Sequence, residues 1–203
     1  MVLNKLPLTL IIALLCLPVS PCSAGCLRGD CINGQSTYRF DDNSLYEGDF
    51  NNGQISGSGS IKYQDGAVYK GLFENGQPNG QGTITYPNGD SYTGDFMAGA
   101  KHGEGIYIYS TGSEYTGYFV NNSPDGPGTL TFPDGAVYKG SMRKGKLDGK
   151  GVLEFANGTI FTGEFKKGKK DGFGTFTFPS GRSQSGIFKN DKLVEEDKSS
   201  KTQ

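Results

Sequence analysis

The sequence predicts an all-β protein built as one elongated, single sheet of antiparallel β-hairpins. Three observations support this class. A 23-residue pattern recurs six times from Tyr46 without an insertion or deletion, each copy contains two stretches in which aromatic residues and glycine alternate, and each copy has a glycine turn near its end. Fixed-period similarity of this length is typical of a unit that stacks on copies of itself. We therefore expect apolar surface to be buried between neighbouring units.

The composition fits a thin sheet with tight turns. Glycine provides 33 of the 203 residues, and the chain has 11 Tyr, 13 Phe and no Trp. Aromatic residues favour strands, and glycine favours turns. The formal net charge of −1 does not favour nucleic acid as a partner, because proteins that bind nucleic acid usually carry a marked basic patch.

Residues 1–24 are a different kind of sequence. Lys5 precedes an apolar run from Leu6 to Val19, and small residues follow before Gly25. The run is too short to span a bilayer comfortably, and this order of features is typical of a secretory signal peptide. We expect cleavage before Gly25 and an exported protein, located in the periplasm, in the cell envelope or outside the cell.

Two cysteines, Cys26 and Cys31, remain after that cleavage. In an oxidising compartment they are predicted to close a small disulfide loop. The alternative is a lipid on Cys26, because Ala24-Gly25-Cys26 partly matches a bacterial lipoprotein box, although Ser23 stands where the box prefers Leu. One sulfur cannot hold both groups. Two thiols without a paired histidine are a weak zinc signal, so neither a metal nor a cofactor is expected.

The rest of the chain divides by the repeat register. Residues 25–45 fit the second half of a 23-residue block and are predicted to cap the array. Six full blocks cover 46–183, and a truncated copy covers 184–193. The polar tail 194–203 has too little apolar content to fold and is expected to be disordered.

Each block contains two predicted strands. In the first block, Tyr46, Gly48 and Phe50 alternate along one strand and share a face, as Gly59 and Ile61 do along the next. Pairs such as Asp-Gly and Asn-Gly near the block ends predict two-residue type I′ turns, in which both residues have positive φ. The other connection, NNGQISG in the first block, is expected to be a longer loop.

Aromatic residues at the first position of each block form a stripe along the sheet. One interpretation is that the rings cover the glycine backbone of neighbouring strands. The other is that they are exposed and bind a protein partner, because tyrosine supplies large, rigid contact area. The sequence leaves both open. This stripe consists of Tyr46, Tyr69, Tyr92, Tyr115, Tyr138 and Phe161.

Lysine residues crowd the last two full blocks. They either solubilise loops or bind an anionic surface, such as phospholipid head groups or an envelope polysaccharide, where each lysine contributes about 1 kcal/mol. This predicted basic patch consists of Lys144, Lys146, Lys150, Lys166, Lys167, Lys169 and Lys170.

Catalytic chemistry is not indicated. The single histidine, His102, lies in the segment AGAKHGEG and is expected to be a solvated loop side chain. One histidine and two N-terminal thiols do not assemble a nucleophile–base set. Acidic residues such as Asp49 and Glu164 recur in the repeat register, which indicates a solvated sheet face rather than a catalytic pair. We expect no enzymatic activity.

The block pattern YxGxxxxGxxxGxGxxxxxxGxx resembles the MORN repeat (membrane occupation and recognition nexus) over about residues 25–193. Gly48 and the pair Gly57 and Gly59 illustrate its glycine positions, and Gln184 departs from it where the last copy should begin with an aromatic residue. The resemblance implies a protein–protein scaffold, a dimerisation module or a phospholipid-binding segment. We expect a non-enzymatic scaffold for protein–protein interaction at the cell envelope, with peripheral binding of anionic phospholipid and homodimerisation as alternatives.

Overall fold

A computed structural model describes residues 25–197, and these form one antiparallel sheet in which sixteen strands follow each other in sequence order. No helix occurs among the described residues. The predicted all-β array of hairpins is therefore confirmed. The predicted signal peptide and the last six residues of the predicted tail lie outside the described residues.

The strands are β1 (Cys26–Arg28), β2 (Gly34–Arg39), β3 (Leu45–Asn51), β4 (Gln54–Lys62), β5 (Val68–Glu74), β6 (Gln77–Thr85), β7 (Ser91–Met97), β8 (Ala100–Ile108), β9 (Glu114–Val120), β10 (Ser123–Thr131), β11 (Val137–Arg143), β12 (Lys146–Glu154), β13 (Ile160–Lys166), β14 (Lys169–Thr177), β15 (Ser183–Lys189) and β16 (Lys192–Glu196).

The repeat register places one glycine of each strand opposite a glycine of the next strand. Gly48 pairs with Gly59, Gly59 pairs with Gly71, and the same relation continues to Gly186 on β15. The result is a line of glycines that crosses the sheet from β3 to β15. Glycine leaves the sheet surface bare along this line, so something else must cover the backbone.

The first aromatic residue of each block provides that cover. Tyr46 lies over Gly48 and Gly59, and a Cβ added to Gly59 would lie 2.5 Å from the Tyr46 hydroxyl oxygen. The same hydroxyl donates to the carbonyl of Asp49 at 3.0 Å. The glycine-cover interpretation is confirmed, and the prediction of an exposed stripe is wrong, because its members are all 0% exposed. They are Tyr46, Tyr69, Tyr92, Tyr115, Tyr138 and Phe161.

Edge-to-face ring contacts connect each block to the next. The Tyr69 ring lies between Phe73 of its own block, with centroids 5.1 Å apart, and Phe96 of the following block, at 4.8 Å. Met142 takes the place of this phenylalanine in the fifth block and is also buried. Aromatic pairs of this geometry each stabilise a structure by about 1 kcal/mol beyond their buried area. The core is therefore a ladder along the sheet, and we call the face that carries it the aromatic face.

The two kinds of connection between strands are exchanged relative to the prediction: the two-residue turn lies where the longer loop was expected, and the longer turn lies where the two-residue turn was expected. Asn52 and Gly53, with φ of 49° and 77°, join β3 to β4 as a two-residue turn, so the type I′ turn falls inside the segment expected to be a long loop. At Asp65-Gly66 only the glycine has positive φ, at 89°. That connection is a longer turn of type I followed by one left-handed residue.

The reason for the reversal is local hydrogen bonding. The Asp65 carboxylate accepts the N–H of Ala67 at 2.9 Å, and the carbonyl of Tyr63 accepts the N–H of Gly66 at 2.9 Å. An aspartate that bonds the backbone two residues later stabilises this turn without positive φ of its own. Asp-Gly fits both turn types, so the dipeptide alone does not discriminate between them.

Both ends of the array extend the repeat. Gly34 on β2 pairs with Phe50 as Gly57 pairs with Phe73, so β2 has the register of a normal second strand. At the other end, residues 194–196 belong to β16 and pair with β15, so this part of the predicted disordered tail is strand. Val194 is 60% exposed there, whereas the neighbouring Leu193 packs against the aromatic core.

Replacing Gly59 with Ala is expected to lower the free energy of unfolding by about 2–3 kcal/mol, because the new methyl group meets the buried Tyr46 ring. Urea unfolding of the purified protein measures this. Ser60→Ala, one residue further on the opposite face, is the matched control and should change stability by less than about 0.5 kcal/mol. Equal losses for the two variants would contradict the role of the ring as glycine cover.

Candidate interaction surface

Beside the buried stripe, the aromatic face carries a second set of rings that stay only half-buried. They stand two residues after the Ile61 position of each block and recur every 23 residues. Some of these rings connect to the next block through a ring between them: Tyr107 lies 6.4 Å from Tyr86 and 4.5 Å from Tyr109, centroid to centroid. Phe155 and Phe178 connect through Phe176 in the same way. We call this set the open ring row. Its members are Tyr63, Tyr86, Tyr109, Phe132, Phe155 and Phe178.

A shallow depression lies beside Tyr109 of the open ring row, in the middle of the sheet. Its walls come from three successive blocks and are mostly apolar, so it crosses the strands rather than following one of them. It is lined by Tyr109, Thr111, Ser113, Tyr115, Leu130, Met142 and Gly145.

Lys101 brings a buried positive charge to this face. Its side chain is only 8% exposed, and its ammonium lies over the rings of Tyr86, Tyr92 and Tyr107, at 5.2, 5.7 and 4.7 Å from their centroids. It also donates to the Tyr86 hydroxyl at 3.1 Å. Burial lowers the pKa of Lys101 to about 8, although the negative charge of Asp90 opposes the shift.

Lys170 repeats this arrangement three blocks later. Its ammonium lies over Phe155, Phe161 and Phe176, at 6.0, 5.7 and 5.9 Å. An ion pair with Asp191 at 3.3 Å completes its surroundings. Cation–π contact of this kind is worth about 0.5–2 kcal/mol per site. Lys170 therefore faces the rings and does not belong to the exposed basic patch that the sequence predicted.

The carboxylate of Asp90, near Lys101, is held by hydrogen bonds to other residues. Asp90 accepts from the Tyr107 hydroxyl at 2.8 Å and from the backbone N–H of Ser110 at 2.7 Å. Burial and the hydrogen bond with Asp90 raise the pKa of Tyr107. The arrangement fixes neutral tyrosine hydroxyls around one ammonium group.

His102 is not the solvated loop side chain that the sequence suggested. It lies on β8, and its Nδ1 is buried without a hydrogen-bond partner among the described groups. Four other full blocks have Asn or Asp here, whereas the first block has Ser56. Asp125, for example, accepts the N–H of Lys144 at 3.2 Å. His102 thus interrupts a series of bonds between blocks.

The structure gathers only part of the predicted basic patch. Lys166, Lys167 and Lys169 line one pocket together with Lys189, a lysine that the prediction omitted. Asp171 is the acidic residue of that pocket, and it accepts the N–H of Asn190 at 3.3 Å. Of the remaining lysines, Lys144 is the first residue of the preceding two-residue turn and Lys146 follows that turn at the start of β12. Lys150 is opposite Glu164 on β13.

The opposite face has an apolar cluster that the sequence pattern did not reveal. Ile106, Ile108 and Tyr118 are 41%, 46% and 44% exposed, on the adjacent strands β8 and β9.

Within residues 25–197, no group of His, Cys, Asp or Glu could hold a metal ion. The same part of the chain contains no helix with the length and hydropathy of a membrane span.

The N-terminal cysteines are joined in the structure. Cys26 and Cys31 form a disulfide with their Cα atoms 6.0 Å apart. The bond connects the short strand β1 to the turn that precedes β2. It uses the Cys26 sulfur and therefore stands against a lipid on that residue.

A known repeat family shares the sequence pattern behind this sheet, with its line of glycines and a buried ring at the first position of each block. The MORN repeat matches six consecutive segments, which are residues 46–68, 69–91, 92–114, 115–137, 138–160 and 161–181. The chain belongs to the MORN-repeat family. MORN repeats are generally non-catalytic modules that interact with proteins or membranes.

Solved structures show a looser likeness to this MORN array. The TCP domain of Drosophila melanogaster SAS-4 (dCPAP), in complex with a proline-rich motif of Ana2 (dSTIL), is 18% identical with a TM-score of 0.45, and the match covers 86% of each chain. A point mutant of the TCP10 domain of Danio rerio CPAP is 13% identical with a TM-score of 0.35, over 81% of this chain and 89% of that one. No curated protein matches the chain significantly.

Replacing Lys101 with Met should remove a pH dependence of stability. Below pH 8 both folded and unfolded chains carry the proton, and burying the charge costs free energy. Between about 8 and the ordinary value of 10.5, the folded chain loses the proton first, so stability rises with pH. Urea unfolding between pH 7 and 9.5, below the range in which tyrosines titrate, should show this rise in the wild type and a flatter curve in Lys101→Met.

The exposed Lys70 supplies the control for that measurement. Lys70→Met removes the same charge from the opposite face and should keep the slope of the wild type. If the free energy of unfolding changes with pH in the same way in Lys101→Met and in the wild type, burial does not lower the pKa of Lys101.

Proposed function

We propose that this MORN array is an exported, non-enzymatic scaffold that binds a protein segment along the open ring row. The observation that carries the proposal is the row of half-buried rings that recurs in every block beside the fully buried stripe. Tyr107, for example, bridges the rings of Tyr86 and Tyr109. Aromatic side chains that are fixed in place but still accessible give contact area at low entropic cost.

The spacing of the row defines the partner segment that fits it. Two strands about 4.8 Å apart make one block, so equivalent rings recur at about 10 Å. Six of them give a track of roughly 50 Å from Tyr63 to Phe178. A segment that presents one apolar side chain every 10 Å or so would contact each block in turn. The track crosses the strands, so side chains rather than backbone bonds would provide the recognition.

The location in the cell envelope rests on two features. Residues 1–24 have the charge, apolar run and small residues of a secretory signal. The Cys26–Cys31 disulfide is of a kind that persists in oxidising compartments such as the periplasm. A scaffold exported in this way would assemble its partner outside the cytoplasm.

Replacing Tyr109 and Phe132 together with Ser is expected to lower affinity for the partner at least tenfold, because two adjacent rings of the row are lost. The protein is used as bait in an envelope extract, and the captured partner is then measured by titration. Ile106→Ser with Ile108→Ser, on the opposite face, is the matched control and should bind normally. Loss of binding only in that control would move the site to the opposite face.

The rings of the buried stripe are unsuitable targets for this test. Tyr92 and Tyr115 are 0% exposed, so replacing either with Ala would open a cavity and unfold the neighbouring strands. Rings of the open ring row are only half-buried, and their loss leaves the glycine cover intact. Thermal unfolding of each variant verifies that the comparison concerns binding.

Peripheral binding to anionic phospholipid is a second candidate function. The observation that favours it is the pocket in which Lys166, Lys167, Lys169 and Lys189 surround the single carboxylate of Asp171. The pocket lies where the strands end, by the turns that follow β13 and β15. A membrane surface could approach these strand ends without covering the aromatic face, so both functions are compatible with one molecule.

Lys167→Glu combined with Lys169→Glu should reduce binding to vesicles that contain phosphatidylglycerol by about tenfold or more. Flotation with these vesicles, and with neutral phosphatidylcholine vesicles, measures the effect. Lys62→Glu with Lys70→Glu makes the same charge change on exposed lysines of the first two blocks and should have little effect. Equal losses in the two double variants would indicate an effect of net charge, and no binding by the wild type would refute the lipid function.

A further inference from the structure

The chain contains an internal comparison for the site around Lys101. Lys101 and Lys170 hold the same block position, which is apolar or proline in the other full blocks. Each lysine donates its backbone N–H at 2.9 Å to the side chain 21 residues later, Asn122 in the first case and Asp191 in the second. Asn122 and Asp191 also share a left-handed backbone, with φ of 70° and 69°. The two sites thus share their backbone geometry and the block positions of their rings, which are tyrosines around Lys101 and phenylalanines around Lys170.

They differ in the counter-ion. The Asp191 carboxylate lies 3.3 Å from the Lys170 ammonium, whereas Asn122 is neutral. Within residues 25–197, the Lys101 ammonium forms no ion pair. The carboxylate of Asp90 is already bonded to Tyr107 and Ser110. Lys101 is therefore a cation that is more than nine-tenths buried and lacks the carboxylate that its counterpart has.

An unpaired buried charge is costly, and a carboxylate that reaches it gains an interaction much stronger than one in water. We propose that Lys101 binds the carboxylate of an acidic side chain from the partner segment, which supplies the counter-ion that Asp191 supplies at Lys170. This inference rests on the proposed function, since it names the group that the open ring row recognises at its centre. Asp or Glu next to apolar residues is the partner chemistry that fits.

An internal side chain fits this place better than the end of a chain. The open ring row continues on both sides of Lys101, to Tyr63 in one direction and to Phe178 in the other. A segment that contacts these rings passes over Lys101 without ending there. The acidic side chain would set the register of the segment, because the buried ammonium of Lys101 forms no ion pair within residues 25–197, whereas Lys170 already has Asp191.

Blocked synthetic peptides test this with the whole protein. Acetyl-Ala-Leu-Glu-Leu-Ala-amide is titrated while the NMR signals of Lys101 and Asn122 are followed, and the same peptide with Gln in place of Glu is the control. A third peptide has Gln and a free C-terminal carboxylate. We expect the Glu peptide to bind at Lys101 at least tenfold more tightly than either of the others.

Two reciprocal variants exploit the internal comparison. Asn122→Asp supplies a carboxylate of its own and should weaken the Glu peptide at least tenfold while leaving the Gln peptide unchanged. Asp191→Asn should create a second site for the Glu peptide, seen as new shifts at Lys170. Unfolding curves verify that both variants keep the fold.

Several outcomes would overturn the proposal: equal binding of the Glu and Gln peptides, no effect of Asn122→Asp, or preference for the free C-terminal carboxylate. If the Glu and Gln peptides bind equally along the open ring row, the proposed function survives and the carboxylate site does not. If no peptide shifts any signal of the row, the docking role of the row itself fails along with the carboxylate site.

Discussion

The whole structure depends on one contact, in which an aromatic ring lies over two glycines of adjacent strands. Tyr46 over Gly48 and Gly59 is the first example, and Phe161 over Gly163 and Gly174 is the last of the six full blocks. Any Cβ at these glycines would occupy the space of the ring, and a smaller side chain than the ring would leave backbone uncovered. Ring and glycine are therefore required together, which explains why both recur in one register.

This contact also determines how the sheet is stabilised. The rings interlock with the phenylalanines of the next block, as Tyr92 does with Phe119 at 4.8 Å, so each block contributes to the core of its neighbour. Stability of such an array is a sum over units and their interfaces. The energy lies in the buried ladder, and the half-buried rings beside it are left free for recognition.

Charge on the aromatic face follows from the same geometry. A lysine placed in the apolar column of a block meets three rings, and its ammonium is stabilised by them. Whether it also has a carboxylate depends on a residue 21 positions later, Asp191 for Lys170 and Asn122 for Lys101. The two sites thus differ in electrostatic balance, because Asn122 is neutral where Asp191 is charged and because tyrosines surround Lys101 where phenylalanines surround Lys170.

The sequence by itself determined the repeat length, the hairpin array and the pairing of ring with glycine, because alternation and period are local properties that a linear pattern records. Only the tertiary structure decided which rings are buried. Tyr69 and Tyr86 look alike in sequence, but Tyr69 is fully buried while Tyr86 is half-buried, since burial depends on neighbours from other blocks. The cage of rings around Lys101 and its missing carboxylate likewise arise from residues that only folding brings together. The turn types were likewise decided by hydrogen bonds that the dipeptides do not specify.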